Sequence, residues 1–274
     1  MRITGQGSDF NLNEVIELAR SAGAAELDGL IHHGSRQVLE TVIESPHIVE
    51  RHLLILLSRR DLPREILSRI AGNHQWMTSY SIKIAVFKHS RTPRHVVLPL
   101  LKFIYLFDLM GITLEPGVPA DVKRLSEDAI LSQKEGIALG QRISLARRGS
   151  LRIAGGLLND HDRRVIDAAL SNPVLTEHSV AAALLVKDAS RELTEAVLSH
   201  PRWADGHSVK LSLLRNAHLS LARMMKILSE LTAGELSDLV SDKRVAANIR
   251  LYAARTAQAR RKRGMDRAMS RASV

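Results

Sequence analysis

Two tryptophans, Trp76 and Trp203, each precede a pair of cations: Lys83 and Lys88 after the first, Lys210 and Arg215 after the second. An indole can stack on a base or a side chain, while a nearby cation holds a phosphate or a carboxylate. These residues are therefore the best candidates in the body of the chain for contacting a partner. Cations five positions apart on a helix are separated by about 140°, so each pair forms no tight stripe, and solvated charge would account for them as well. The repetition of lysine at 83 and 210 has no evident packing reason in the sequence. The tryptophans are expected to open helices and to pack at corners.

Other groupings have simpler structural readings. Asp61, Arg64 and Glu65, with Asp188, Arg191 and Glu192, juxtapose carboxylates and guanidinium groups. Helix capping and local ion pairing explain both sets, with Asp61 and Asp188 expected to accept from the first helical turn. The 12 histidines include His32–His33 and the pair His47 and His52, none with the i,i+4 spacing and third ligand of a zinc motif. Histidines such as His74 and His200 are expected at helix ends. No glycine-rich phosphate loop follows a strand pattern, and no Gly-x-Ser-x-Gly elbow occurs. With zero cysteines, thiolate metal sites, disulfides and cysteine nucleophiles are excluded. A non-enzymatic protein without cofactor or metal is the expectation.

The elements that must position the candidates are repeated. Sliding the chain on itself by 127 residues aligns positions 12–131 with 139–258 without a gap, and roughly one position in six is identical, above the level of unrelated helical sequence. Arg64 meets Arg191, Trp76 meets Trp203, Lys83 meets Lys210, and Pro46 meets Pro173. Apolar residues recur at helical spacing, as in Val38, Leu39, Val42 and Ile43 and in Val165, Ile166, Ala169 and Leu170. No alternating segments bounded by hairpin turns appear, so strands are not expected. Pro46 and Pro173 close helices. Thr176 and the Thr92–Pro93 pair open others, and Pro99, which is Lys226 in the second copy, predicts a kink in one copy only.

Helices of 10–14 residues with short corners predict an all-α fold, an αα superhelix of about ten helical hairpins in two tandem halves. The halves run over 1–131 and 132–258, followed by a basic tail at 259–274. Charge follows that division: Lys plus Arg against Asp plus Glu is 15 against 15, then 18 against 13, then 6 against 1. The tail residues Arg260, Arg261, Lys262 and Arg263, with Arg267 and Arg271, complete the candidate partner-binding set, whether as a helical extension or a frayed arm. The opening residues carry no apolar leader, and the run Val96–Ile112, interrupted by Pro99, Lys102 and Asp108, is too short to span a bilayer. A cytoplasmic location agrees with the lack of cysteine.

Short helical repeats with proline after Asn172 or Ser45, and with the His200–Trp203 segment at a corner, resemble the leucine-rich repeat variant branch of the HEAT-like proteins. That resemblance implies a curved superhelix and no particular activity. The DNA-alkylation-repair glycosylases share this architecture, but their motif does not map onto these residues, and only 3% of the residues are aromatic, leaving few to stack on a base. The expected function is a scaffold binding a macromolecule, most readily a protein, on its concave surface. The alternative is a nucleic-acid-binding solenoid using the basic second half and tail.

Overall fold

Aliphatic side chains repeating every three or four positions give each short segment one apolar face, which folds only by covering that face with its neighbours. The computed structural model describes the backbone of residues 12–186, 189–216 and 218–272, and side chains through Lys262. Eighteen α-helices and three 3-10 helices, and no strand, occur among the described residues. Two compact units divide the chain at Met1–Ser132 and Gln133–Val274.

Unit 1 contains α1 (Leu12–Ser21), α2 (Ala24–Leu30), α3 (Arg36–Glu44), α4 (Glu50–Leu57), α5 (Arg64–Gly72), α6 (Tyr80–Lys88), α7 (Arg94–Leu100), α8 (Leu106–Leu114) and α9 (Ala120–Ser132). Unit 2 contains α10 (Leu139–Arg148), α11 (Leu151–Gly156), α12 (Arg163–Leu170), α13 (Glu177–Leu184), α14 (Arg191–Ser199), α15 (His207–Leu213), α16 (Leu221–Glu230), α17 (Ala233–Ser241) and α18 (Ala247–Ala272). Every helix of the first series starts 127 residues before its counterpart in the second. The alignment of side-chain types thus corresponds to an alignment of backbone.

Among the described residues each unit carries nine α-helices, whereas five hairpins were expected. The six residues between Ser132 and Leu139 are too few for a tenth helix and hold only a 3-10 helix, Lys134–Gly136. Many helices pack on the second helix along, α1 on α3, α3 on α5 and α4 on α6 in unit 1, and α10 on α12, α12 on α14, α11 on α13 and α13 on α15 in unit 2, while each unit ends in a closely packed adjacent pair, α8 with α9 and α17 with α18. Leu39, Leu53, Leu67 and Phe87 fill the interior of unit 1, and Val165, Ile166, Leu193 and Leu213 that of unit 2, all fully enclosed. Each such side chain contributes about 2 kcal/mol by leaving water.

Corners between helices use one recurrent device. The residue at the end of a helix turns its side chain back to accept the backbone N–H two positions on, which would otherwise lack a partner. In unit 1, His33 Nδ1 accepts from Ser35, Ser45 Oγ from His47, Asn73 Oδ1 from Gln75, and His89 Nδ1 from Arg91. The counterparts in unit 2 do the same: Asp160 for Asp162, Asn172 for Val174, His200 for Arg202, and Asn216 for His218. Histidine, asparagine, aspartate and serine interchange because each offers one acceptor at the right reach. Several of them also tie down the preceding layer. His89 Nε2 meets the Arg59 carbonyl at 2.7 Å, and the Asn172 amide donates to Ala146 and Gly149 at 2.9 and 3.1 Å.

Local expectations fare unevenly. Thr176 accepts from Ser179 N–H at 3.2 Å as expected. Pro99 lies in the last turn of α7, which gives way to a 3-10 helix over Leu101–Phe103, while its counterpart α16 runs unbroken to Glu230. Asp61, however, caps nothing, because α5 starts three residues later behind Pro63; its carboxylate takes the Arg59 guanidinium at 2.7 Å instead. Ser190 caps α14, and Asp188 lies outside the described residues. Thr92 donates back to the Val86 carbonyl at 2.6 Å and does not cap α7. Neither tryptophan opens an α-helix: Trp76 starts a 3-10 helix ahead of α6, and Trp203 sits in the turn before α15.

Candidate partner-binding surfaces

The paired cations are engaged within their own units, and the 127-residue repeat explains how. Lys83 Nζ donates to the Thr78 carbonyl at 3.5 Å and lies 5.4 Å from the centre of the Phe103 ring. Lys210 Nζ lies 3.4 Å from Asp205 and 2.6 Å from Glu230. Asp205 and Glu230 are the counterparts of Thr78 and Phe103. The lysine bridges the same two places in both units, by a carbonyl and a ring in one and by two carboxylates in the other. Its repetition therefore has an intramolecular reason, contrary to the sequence reading. The hydrogen bond to Glu230, outweighing the cost of burial, raises the Lys210 pKa above its ordinary value.

The second cation behaves likewise. Lys88 donates to Glu115 at 3.1 Å, and Arg215 Nε donates to Asp242 at 3.0 Å, with Asp242 the counterpart of Glu115. Arg260 is also taken, donating to the carbonyls of Leu228, Ser229 and Leu231 at the end of α16, where a cation offsets the negative end of the helix dipole. Arg261 and Lys262 are exposed and make no hydrogen bond or ion pair to a described residue. The side chain of Arg263 lies outside the described residues. The basic stretch is the continuation of α18 over 26 residues, with no break near position 259.

Asp242 carries a pH dependence. The guanidinium of Arg244, the Arg244 backbone N–H and Arg215 hold its carboxyl well below the ordinary 3.8. A depressed folded pKa gives stability that is present above pH 3.8 and lost as acid protonates the folded carboxylate. Asp242→Asn is expected to flatten the dependence of the unfolding midpoint on pH below about 4, measured by urea titration across pH 2.5–6. An unchanged slope would show that these ion pairs contribute nothing.

A surface that residue-type reasoning missed lies at α7 and α8. Phe103, Tyr105 and Phe107 are 49%, 68% and 44% exposed, so one third of the nine aromatics of the chain face outward within five positions. Lys102 joins Lys83 over the Phe103 ring, at 5.1 Å. Tyr80 stacks on Tyr105 with ring centres 4.5 Å apart, accepts the Tyr105 N–H at 2.9 Å, and donates to Asp108 at 2.5 Å. Burial, then the Asp108 carboxylate, pushes the Tyr80 phenol up to about 12. The counterparts of Phe103, Tyr105 and Phe107 in unit 2 are Glu230, Thr232 and Gly234, so the repeat does not require aromatics there. Their scarcity elsewhere in the chain is the signal that could have marked them.

In unit 2 a groove of about 530 Å³ is lined by Arg215, Lys243, Arg244 and Arg250 beside the start of α18. The Arg250 Nε is buried in it without a partner among the described residues. The tryptophans differ more than their shared position suggests. Trp203 is 3% exposed and donates from its indole to the Leu170 carbonyl at 2.8 Å, whereas Trp76 is half-buried and lines an open groove.

Among the described residues no group of three His, Asp or Glu side chains is arranged to hold a metal ion, and no helix is long and apolar enough to cross a membrane. No family model, curated protein or solved structure matches the chain.

Proposed function

We propose that the chain is a non-enzymatic α-solenoid of the leucine-rich repeat variant and HEAT-like kind that docks a protein partner through unit 1. Packing of many helices on the second helix along supports the solenoid. The observation that carries the partner is the exposed set Phe103, Tyr105 and Phe107, rimmed by Lys83 and Lys102. Aromatic clusters edged by cations are what protein interfaces select, and solvent exposure of three neighbouring rings is otherwise unfavourable. A second reading, contact with nucleic-acid phosphates, is favoured by the cationic groove at Arg215, Lys243, Arg244 and Arg250.

The test replaces Phe103→Glu and Tyr105→Thr, as at the counterpart positions, and Phe107→Ser, which keeps the helix. With circular dichroism unchanged, a partner recovered by cross-linking in cells and then purified is expected to bind the variant at least ~30-fold more weakly by calorimetry, the loss of an aromatic hot spot. Equal affinity would overturn the docking surface. Recovery of nucleic acid alone, bound with steep dependence on salt, would favour the second reading.

A further inference from the structure

In unit 2 the corner after α14 is closed by the chain itself. The Trp203 indole donates to the Leu170 carbonyl at 2.8 Å, and the Arg202 guanidinium lies 4.1 Å from the centre of that ring while donating to the Leu175 carbonyl at 2.9 Å and reaching that of Asn172 at 3.4 Å. Unit 1 keeps the tryptophan and loses the arginine, because the residue before Trp76 is Gln75, exposed and with no side-chain hydrogen bond to a described residue. The corner there is an open groove of about 430 Å³ beside Trp76.

The ring and the carbonyl that hold the arginine most closely in unit 2 have unused counterparts in unit 1, while the Ser45 carbonyl, counterpart of that of Asn172, accepts the Ile48 N–H. No cation or ring stacks on Trp76, and its indole N–H has no acceptor among the described residues. The carbonyls of Ile43 and Ile48, counterparts of Leu170 and Leu175, accept no hydrogen bond from a described residue. The carboxylate of Glu44 lines the groove and pairs with Arg69 at 2.5 Å, so the fixed charges at its edge cancel and an incoming cation meets no net repulsion.

We propose that this groove receives an arginine side chain of a partner polypeptide, its guanidinium over the Trp76 ring and donating to the Ile48 carbonyl, as Arg202 does within unit 2. A planar guanidinium lies flat on the indole while donating in its own plane, whereas a compact ammonium cannot do both from one position. The inference rests on the protein-binding reading above and names the chemistry that the partner brings.

With two tryptophans in the chain, a proton–nitrogen correlation spectrum has two indole signals, assigned by Trp76→Phe. Titrating the full chain with acetyl-Gly-Arg-Gly-amide is expected to shift the Trp76 signal saturably and leave Trp203 in place. The matching lysine peptide should bind about ten-fold more weakly. Gln75→Arg rebuilds the closed corner and should abolish the response, while Arg202→Gln should open the second corner and make Trp203 respond. Equal shifts with both peptides, an unmoved Trp76 signal, or an undiminished response in Gln75→Arg would each overturn the proposal. If Gln75→Arg does not fold, the comparison of the two peptides on the unaltered chain decides alone. Partner binding that depends on Phe103, Tyr105 and Phe107, without a Trp76 response, would sink the groove and leave the docking surface standing; the reverse result would do the opposite.

Discussion

Trp203→Ala should lower the unfolding free energy by ~3–5 kcal/mol, while Trp76→Ala should cost about 1 kcal/mol or less, as for truncation at a partly exposed site. The two residues are counterparts in sequence, so the contrast isolates environment from residue type. Removing the enclosed Trp203 ring leaves a cavity, strips the Leu170 carbonyl of its donor, and leaves the Arg202 guanidinium without the face it stacks on. Removing Trp76 deletes a half-solvated ring from the wall of an open groove. Urea unfolding of both variants, with one common slope, measures the difference. Equal losses would mean that the two corners are equivalent in energy, and the account of unit 2 as closed and unit 1 as open would fail.

Asp160→Ala is expected to cost about 3 kcal/mol by breaking a pair that is mostly out of water. The Asp160 carboxylate is 2% exposed, lies 3.4 Å from Arg142 Nε and accepts the Asp162 N–H at 2.9 Å. Alanine leaves that N–H without its acceptor and Arg142, itself 16% exposed, without the carboxylate it pairs with, the charge of Asp162 remaining nearby. Unit 1 supplies the compensating change: Val15 stands where Arg142 is, and His33 where Asp160 is, with His33 Nδ1 accepting the equivalent N–H at 3.0 Å. The double variant Arg142→Val with Asp160→His should therefore return to within about 1 kcal/mol of the parent, since replacing a buried pair by apolar packing is often neutral. A double variant no more stable than Asp160→Ala would show that the charge pair itself is required.

Much of the backbone was legible because the repeat is gapless. Proline at 46 and 173, aliphatic periodicity and the fixed offset anticipate helices at matched places in both copies, and Pro99, expected to kink a helix, lies where α7 gives way to a 3-10 helix. The helix count differs from five hairpins per half because the stretch between Ser132 and Leu139 holds a 3-10 helix and no tenth α-helix. The candidate site was less legible for a physical reason. Lys83 and Lys210 look free when only identical positions are compared, because their partners at 78 and 103 differ in type from those at 205 and 230. Two such different environments satisfy the same ammonium, so the repetition that flagged the lysines concealed what holds them. The open groove at Trp76 was hidden in the same way, since one Gln-for-Arg difference beside a matched tryptophan decides whether the corner is filled. Asp61 misled because it precedes a helix by sequence pattern, yet Pro63 shifts the start beyond its reach.

The packing of helices on near neighbours in the chain has a kinetic side. The bonds that tie one layer to the next join residues close in the chain, from 22 positions apart for Thr194 and Asn216 to 36 for Arg163 and Ser199. No native contact of this kind waits for distant parts of the chain to meet, so the entropy of closing loops is spent in small instalments. Such low contact order favours rapid folding that starts at any well-formed pair of neighbouring helices within a unit.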